Sequence, residues 1–266
     1  MSDQSKHIHI VGCSPRSGTT LMQEMMVACF EIDAHCEHEQ SIFKSPRVPR
    51  GILCTKHPRE VAYMGCVLRH NPAVYVIYVV RDPRDVIVSQ HKKFPGRYYS
   101  DLGFWNEADR YAQKLEGCPR FIAVRYEDLV TYPDRVQQQL QQAMPFLRHR
   151  HAFSQFHLYA QVSDQSAMAL NGVRPVDSSS IGRWRQHLDR VSSQILQHGD
   201  ISPRLVHYGY EPDNAWLACL PANPVQHESV IEIRETWLDR LRFAWRIRRK
   251  CLQYWLSMTR SKEDRE

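Results

Sequence analysis

The stretch that most constrains the fold is residues 7–22, HIHIVGCSPRSGTTLM. Residues 8–11 are apolar except for one histidine, which predicts a short buried strand. Residues 12–18 begin and end with glycine and predict a tight turn, and Thr19 begins a predicted helix. In a strand-turn-helix unit the N–H groups of the turn and of the first helical turn converge, and the helix N-terminus adds about half a positive charge. The stretch therefore predicts an anion-binding loop.

The side chains of this loop indicate which anion it binds. The loop that binds nucleoside triphosphates reads G-x-x-x-x-G-K-[ST]. Here five residues separate Gly12 from Gly18, and Thr19 stands where that motif has lysine. The cation, Arg16, comes before the second glycine instead. This pattern argues against a P-loop kinase, which we keep as an alternative function.

The hexapeptide at residues 15–20, PRSGTT, resembles the phosphosulfate loop P-[KR]-S-G-T-T of the sulfotransferases. These enzymes use 3′-phosphoadenosine 5′-phosphosulfate (PAPS) as the sulfuryl donor. The resemblance implies a three-layer α/β/α sandwich with a central parallel sheet and a P-loop-like phosphosulfate loop. It also implies that the loop binds the donor and that Arg16 stabilises the leaving phosphate; the predicted donor-binding residues here are Arg16, Ser17, Gly18, Thr19 and Thr20.

A second motif follows a run of β-branched and aromatic residues, 73–80, which predicts a strand buried on both faces. Asp82 and Pro83 then predict the start of a helix. The following pattern, R-D-P-R-D-V-x-x-S, resembles the second signature of the sulfotransferases, whose Arg and Ser hold the 3′-phosphate of the nucleotide. The resemblance assigns that role to Arg81 and Ser89.

Two later elements also resemble the family. Tyr126 begins Y-E-D-L after a predicted strand, and the tyrosine of this element lies against the adenine in related enzymes. Residues 178–185, SSSIGRWR, resemble the late element that closes over the nucleotide, although the R-K-G of the cytosolic enzymes is missing. The resemblance assigns nucleotide contacts to Ser180, Gly182 and Arg183.

The catalytic candidates lie between the two motifs. Lys56 and His57 follow a predicted strand at 51–55, where sulfotransferases carry K-T-H-x-P or K-x-P. We expect Lys56 to assist at the sulfuryl oxygens and His57 to be a candidate base, since imidazole titrates near neutral pH. Related enzymes use a glutamate of the preceding segment as the base, which adds Glu37 and Glu39. The sequence does not separate these three bases, and the contiguous His, Cys and Glu residues there lack zinc-like spacing, so we predict no metal.

Length and composition support one catalytic domain at residues 1–214 and a linker with a basic amphipathic helix at 215–266. A chain of 266 residues with 42% hydrophobic content can bury one sizeable core. The eight cysteines include no C-x-x-C, which favours reduced thiols. The polar first residues contain no secretory apolar region. We expect a cytoplasmic protein, or one peripheral to the inner face of the membrane.

The C-terminal segment differs in character, with a helix predicted from about 228 to 259. Between Arg240 and Lys262 it has eight Arg or Lys and no acid, which exceeds the formal net charge of +6 of the whole chain. We expect its apolar stripe to pack on this domain or on another copy of the chain, and the alternative is an anionic membrane surface. We predict no nucleic-acid partner. The stripe consists of Trp237, Leu241, Trp245, Leu252 and Trp255.

Together the motifs predict transfer of a sulfuryl group from PAPS to an acceptor hydroxyl by in-line displacement. A carbohydrate or glycolipid acceptor is favoured by the cytoplasmic expectation and by aromatic residues at 153–159 that suit the rim of a sugar site. The alternatives are a protein-tyrosine acceptor and a P-loop kinase of a small molecule.

Overall fold

A five-stranded parallel sheet forms the centre of the protein. The structure, a computed structural model, describes residues 5–45, 50–91, 93–232 and 236–263. The strands are β1 Lys6–Gly12, β2 Ala34–His35, β3 Ile52–Lys56, β4 Val74–Val80, β5 Tyr98–Ser100, β6 Phe121–Arg125 and β7 Ser229–Ile231. The central sheet has the order β2-β3-β1-β4-β6, and β5 pairs with β7 in a second small sheet.

Helices cover both faces of the central sheet. In the described residues they are α1 Thr19–Cys29, α2 Val61–His70, α3 Pro83–Ile87, α4 Leu102–Gln113, α5 Tyr126–Thr131, α6 Pro133–Ala143, α7 Phe156–Tyr159, α8 Asp164–Leu170, α9 Leu188–His198, α10 Ser202–His207 and α11 Trp237–Glu263. One apolar core joins the sheet to α1, α5 and α6, and the other joins it to α2, α4, α9 and α10. The predicted three-layer α/β/α fold with a central parallel sheet is confirmed.

The strand order determines where a ligand can bind. From β1 the chain runs through α1 to β2 on one side, whereas from β4 it continues to β6 on the other side. In open α/β sheets the crevice for ligands lies outside the carboxyl ends of two such diverging strands. β1 and β4 are neighbours, with His7 opposite Val74 and Gly12 opposite Val79. The loops after β1 and β4 therefore border one crevice.

One local prediction is wrong. The C-terminal helix begins at Trp237 and not near Glu228, because residues 229–231 form β7. Val230 and Ile231 are β-branched and favour a strand, and β5 offers the partner, with Tyr98 opposite Ser229.

The C-terminal helix packs on its own domain, but not through the predicted stripe. The members of that stripe are between 42% and 69% exposed in the single chain. The docked side instead carries Tyr254, whose hydroxyl accepts a 3.0 Å hydrogen bond from the side-chain amide of Asn71 at the end of α2. Lys250 lies over the rings of Phe43 and Tyr63 on the same side. Ring and cation contacts of this kind do not follow from an apolar stripe.

Candidate active site

The loop between β1 and α1 is tied to the strands on both sides of β1. The Gly12 N–H donates to the carbonyl oxygen of Pro58 at 3.1 Å, and the Cys13 N–H donates to that of Val79 at 3.1 Å. α1 begins after Gly18, which has φ 99° and provides no side-chain cap for the helix. The N–H groups of the first helical turn are therefore left for a ligand.

Two further observations fit this loop to an anion. The Ser17 hydroxyl is fully buried and has no hydrogen-bond partner among the described residues. A Cβ atom at Gly18 would lie 2.4 Å from the ring of Tyr126, so only glycine allows the backbone to approach this ring so closely. The close packing at Gly18 and the uncapped helix shape a loop that suits a phosphate or sulfate group.

Cations from two distant motifs meet beside the loop. The Arg16 Nε donates to the Ser89 hydroxyl at 3.4 Å, and Arg81 Nη1 donates to the carbonyl oxygen of Arg16 at 3.0 Å. The Arg81 guanidinium lies 4.4 Å from the centre of the Tyr126 ring. Burial, followed by the charge of Arg81, lowers the pKa of Arg16 from its ordinary value. Two crowded guanidinium groups favour an anionic ligand that relieves their repulsion.

The late element closes over the same place. Arg81 Nη2 donates to the carbonyl oxygen of Ser180 at 2.9 Å, and the hydroxyls of Ser180 and Tyr126 lie 2.8 Å apart. An open cavity of about 680 Å³ lies here. The predicted nucleotide-binding residues that line it are Arg16, Gly18, Thr19, Thr20, Arg81, Ser89, Tyr126, Ser180 and Arg183. The structure thus brings together nine of the predicted residues.

Two predicted residues do not line this cavity. Ser17, within the loop, is fully buried. The Gly182 N–H donates to Asp85 Oδ2 at 2.7 Å, and the Trp184 N–H donates to Asp85 Oδ1 at 2.9 Å. Asp85 therefore positions the closing element, a role that the sequence analysis missed. Its signal was the second aspartate of R-D-P-R-D.

The candidate Lys56 is buried at the end of β3. Its Nζ donates to the hydroxyl of Thr20 at 2.9 Å, and Thr20 lines the nucleotide cavity. Burial lowers the pKa of Lys56 from its ordinary value, and the nearby charge of Glu39 opposes this effect. Lys56 therefore links the first turn of α1 to the segment that carries a candidate base.

The candidate bases separate into two groups. Glu39 and His57 line a second cavity of about 800 Å³ between α2, α4 and α11. The His57 Nδ1 is buried without a hydrogen-bond partner among the described residues. Glu37 is exposed, and its carbonyl oxygen accepts hydrogen bonds from the hydroxyls of Ser163 and Ser166. Lys56 thus contacts Thr20 of the first cavity and is influenced by the charge of Glu39 in the second.

A buried pair fixes one wall of the second cavity. The fully buried His9 lies with its Nε2 3.2 Å from Glu60 Oε2 and its Nδ1 2.7 Å from the Thr55 hydroxyl. Glu60 also accepts a 2.8 Å hydrogen bond from the N–H of Ile42 and a short one from the hydroxyl of Ser41. The pair thereby holds the turn at residues 41–44 against β1.

A second buried acid was also missed. Glu24 on α1 is 5% exposed, and burial raises the pKa of its carboxyl from its ordinary value. The Ser166 hydroxyl and the charge of Lys56 act in the opposite direction. Its signal was a single acid within the apolar run of α1.

The expected aromatic rim does not form as predicted. Phe153 and Phe156 are 0% and 2% exposed and belong to the core beside α1. Tyr159 stacks on His151 with ring centres 3.5 Å apart. Among the described residues no group of three or more His, Cys, Asp or Glu side chains suits a metal ion.

The structure is thus an α/β fold with a parallel sheet, a crevice at its switch point and a loop before an uncapped helix N-terminus, an arrangement that suits phosphate-like ligands. A model of the sulfotransferase family matches residues 39–145, a range that contains Lys56, Arg81, Ser89 and Tyr126. The resemblance of the chain to the sulfotransferase family is thereby confirmed over this range. The predicted enzyme class, a sulfotransferase, is confirmed at that level.

Individual relatives are distant. Protein-tyrosine sulfotransferase 2 of Gallus gallus is 25% identical, with 76% of this chain and 69% of the relative covered. The sulfotransferase domain of the Synechococcus PCC 7002 olefin synthase has a TM-score of 0.48 at 16% identity, covering 75% of this chain and 97% of that domain. The mouse sulfotransferase SULT7A1 complexed with PAP has a TM-score of 0.42 at 13% identity, covering 76% of this chain and 89% of that chain.

Proposed function

We propose that the protein transfers the sulfuryl group of PAPS to a hydroxyl of an acceptor. The observation that carries the proposal is the meeting of Arg16, Arg81 and Ser89 at an uncapped helix N-terminus. A nucleotide with phosphate groups at both 5′ and 3′ positions needs two anion-binding groups at one cavity. Arg16 and the loop N–H groups serve the 5′ group, and Arg81 with Ser89 serves the 3′-phosphate. Tyr126 and Ser180 close the cavity over the nucleotide.

The proposed chemistry is an in-line displacement at sulfur. The acceptor oxygen forms a bond to sulfur while the bond from sulfur to the leaving phosphate oxygen breaks. Arg16 and the N–H groups of the loop stabilise the negative charge that develops on the leaving oxygen. Lys56, held at the Thr20 hydroxyl, stabilises the sulfuryl oxygens. These fixed cations supply the electrostatic stabilisation that in-line phosphoryl transfer also requires.

We further propose that Glu39 is the base and that the acceptor enters through the second cavity. Glu39 lines that cavity and lies close enough to Lys56 to influence its pKa. His57 lines the same cavity and is the next candidate, whereas Glu37 lines neither of the two cavities. A base must reach the acceptor proton, so geometry ranks Glu39 and His57 above Glu37.

The acceptor class that we propose is a carbohydrate or glycolipid hydroxyl. The second cavity combines the rings of Tyr63, Tyr111 and Phe104 with charged side chains of both signs. Aromatic faces and charged hydrogen-bonding groups together suit a sugar. The second candidate is a protein tyrosine, which the similarity to a protein-tyrosine sulfotransferase favours.

We propose the cytoplasm as the compartment, since all eight cysteines are free thiols. No helix among the described residues is long and apolar enough to cross a membrane. The outward apolar side chains of the C-terminal helix are exposed.

Thermal unfolding with nucleotides tests the donor. We expect 3′-phosphoadenosine 5′-phosphate to raise the Tm clearly more than adenosine 5′-phosphosulfate, which lacks the 3′-phosphate. Arg81→Ala should abolish this difference, and Arg110→Ala on the exposed side of α4 should preserve it. Equal shifts with both ligands would refute the assignment of Arg81 and Ser89. A larger shift with ATP and magnesium would favour the kinase.

Turnover tests the base. With sulfur-labelled PAPS and a panel of saccharides, glycolipids and tyrosine peptides, we expect Glu39→Gln to lower kcat about 10²- to 10³-fold. Binding of 3′-phosphoadenosine 5′-phosphate should be unchanged. Glu37→Gln is the matched control and should keep near wild-type turnover. If Glu37→Gln lowered kcat and Glu39→Gln did not, the acceptor site would lie away from the second cavity. If a tyrosine peptide were the best acceptor, a protein tyrosine would replace the carbohydrate in the proposal.

A further inference from the structure

The C-terminal helix α11 has two different sides. Its inner side packs on the domain through Phe243, Ile247, Lys250, Tyr254 and Met258. Its outer side, hereafter the outer face, exposes seven large apolar residues. The outer face consists of Trp237, Leu238, Leu241, Trp245, Leu252, Trp255 and Leu256.

Basic side chains flank this outer face. Arg248 and Arg249 are exposed, and the Arg249 guanidinium lies 5.6 Å from the centre of the Trp245 ring. Arg242 is 75% exposed one turn earlier, where Asp239 is its ion-pair partner at 3.7 Å. The sequence from Arg240 to Lys262 contains eight basic residues and no acid. Tryptophan and leucine bordered by arginine form the pattern of a helix that lies in the headgroup region of a bilayer.

We propose that the outer face of α11 lies on the surface of an anionic phospholipid bilayer. Tryptophan prefers the depth of the headgroups, and the flanking arginines are attracted to acidic lipids. Charge complementarity distinguishes this occupant from a second copy of the chain, because two outer faces would bring their arginines together. The interleaved arginines also explain why α11 lies on a bilayer and does not cross it.

The orientation has a consequence for the second cavity. Phe243, Arg246 and Lys250 of α11 line that cavity. A bilayer under the outer face therefore places the cavity close to the headgroups, where lipid-linked hydroxyl groups lie. This consequence rests on the proposed function, whereas the membrane contact itself does not.

Cosedimentation with vesicles tests the contact on the full chain without PAPS or an acceptor. We expect binding to phosphatidylcholine vesicles that contain about a third phosphatidylglycerol, weakened by high salt. Trp245→Asp/Leu252→Asp should lower the bound fraction about tenfold, because both side chains leave the apolar part of the interface. Arg248→Glu/Arg249→Glu should lower it and reduce its salt dependence.

The matched control places the same substitutions on a distant surface. Leu196 and Val206 are 68% and 42% exposed on α9 and α10, so Leu196→Asp/Val206→Asp should bind vesicles as the wild type does. An unchanged Tm for each variant shows that the fold is retained. Wild-type protein that stays in the supernatant at low salt, or binds equally to pure phosphatidylcholine, would overturn the proposal. A dimer that only Trp245→Asp/Leu252→Asp dissociates, without vesicle binding, would assign the outer face to a second copy. None of these outcomes changes the nucleotide test with Arg81→Ala.

Discussion

The candidate nucleotide site and the C-terminal helix use charged side chains in opposite ways. At the site, Arg81 is 9% exposed, and protein carbonyl groups and the Tyr126 ring occupy part of its guanidinium. On α11 the arginines extend into solvent beside exposed tryptophans. Buried cations that the fold already holds in place select one ligand by its geometry. Exposed cations attract any acidic surface, and salt weakens this attraction. The candidate nucleotide site therefore has the geometry for one ligand, whereas the exposed side of α11 has a general attraction for negative charge.

The same contrast appears in what holds each region in place. Arg84, buried next to the site, pairs with Asp82 and Glu211 and lies between the rings of Trp184 and Trp216. The docked side of α11 has ring and cation contacts, with Lys250 over Phe43 and Tyr63, and the hydrogen bond from Asn71 to Tyr254. Variants at the two regions should therefore have effects of different size and kind.

The largest expected effect belongs to Lys56. Lys56→Met should lower kcat about 10³-fold, since it removes a fixed positive charge from the sulfuryl oxygens. The Tm should stay or rise, because replacing a buried charge by an apolar side chain of similar volume is often neutral or stabilising. Steady-state turnover and thermal unfolding measure the two quantities.

Lys93→Met in the exposed turn at residues 93–96 is the matched control and should leave both quantities unchanged. Near wild-type turnover of Lys56→Met would break the comparison, because a buried cation beside the loop would then be purely structural.

Sequence reasoning succeeded where strand order determines position. Three predicted residues each follow a strand of one parallel sheet, so they lie together at its carboxyl edge regardless of the loop conformations. These residues are Arg16, Arg81 and Tyr126. It failed where a single side chain redirects the backbone. Asp85 takes the N–H groups of Gly182 and Trp184, and no residue pattern in the closing element indicates this.

The sequence could not predict which side of α11 packs on the domain, for a different reason. The apolar residues of the sequence predict that the stripe of Trp237 and Trp245 packs on the domain. In the structure, Lys250 packs there instead, over the rings of Phe43 and Tyr63. A cation–π contact depends on a partner surface built elsewhere in the chain. Hydrophobic periodicity therefore predicts that a segment is helical, but it does not predict the surface on which the helix packs.

An effect of intermediate size is expected on the free energy of unfolding at acidic pH. Burial, with a smaller contribution from His9, lowers the pKa of His7 on β1 to about 3. The folded state keeps this imidazole neutral, so its contribution is fully present above the unfolded pKa near 6.5 and is lost as the pH falls towards 3. From about pH 6.5 to 5 the free energy of unfolding should fall by at most about 2 kcal/mol from His7, which keeps some accessible surface.

Urea unfolding near pH 7 and pH 5 measures this loss. His7→Gln should reduce the pH dependence, and the same change at the exposed His35 should not. If His7→Gln leaves the pH dependence intact, other groups cause the acid sensitivity. Vesicle binding by α11 should persist as long as the fold does, since arginine stays charged throughout this range.

The smallest expected effect separates the two sides of α11 at adjacent residues. Tyr254 is 9% exposed on the docked side, and Trp255 is 42% exposed on the outer face. Tyr254→Phe removes the acceptor of the 3.0 Å hydrogen bond from Asn71 and leaves that amide with Met258 Sδ at 3.9 Å. The free energy of unfolding should fall by about 1 kcal/mol, the usual cost of one lost hydrogen bond. Trp255→Phe should change it by less than about 0.5 kcal/mol, as exposed substitutions do, yet weaken vesicle binding. Equal losses of stability from the two variants would mean that α11 does not dock through Tyr254, and the outer face would then need a new definition.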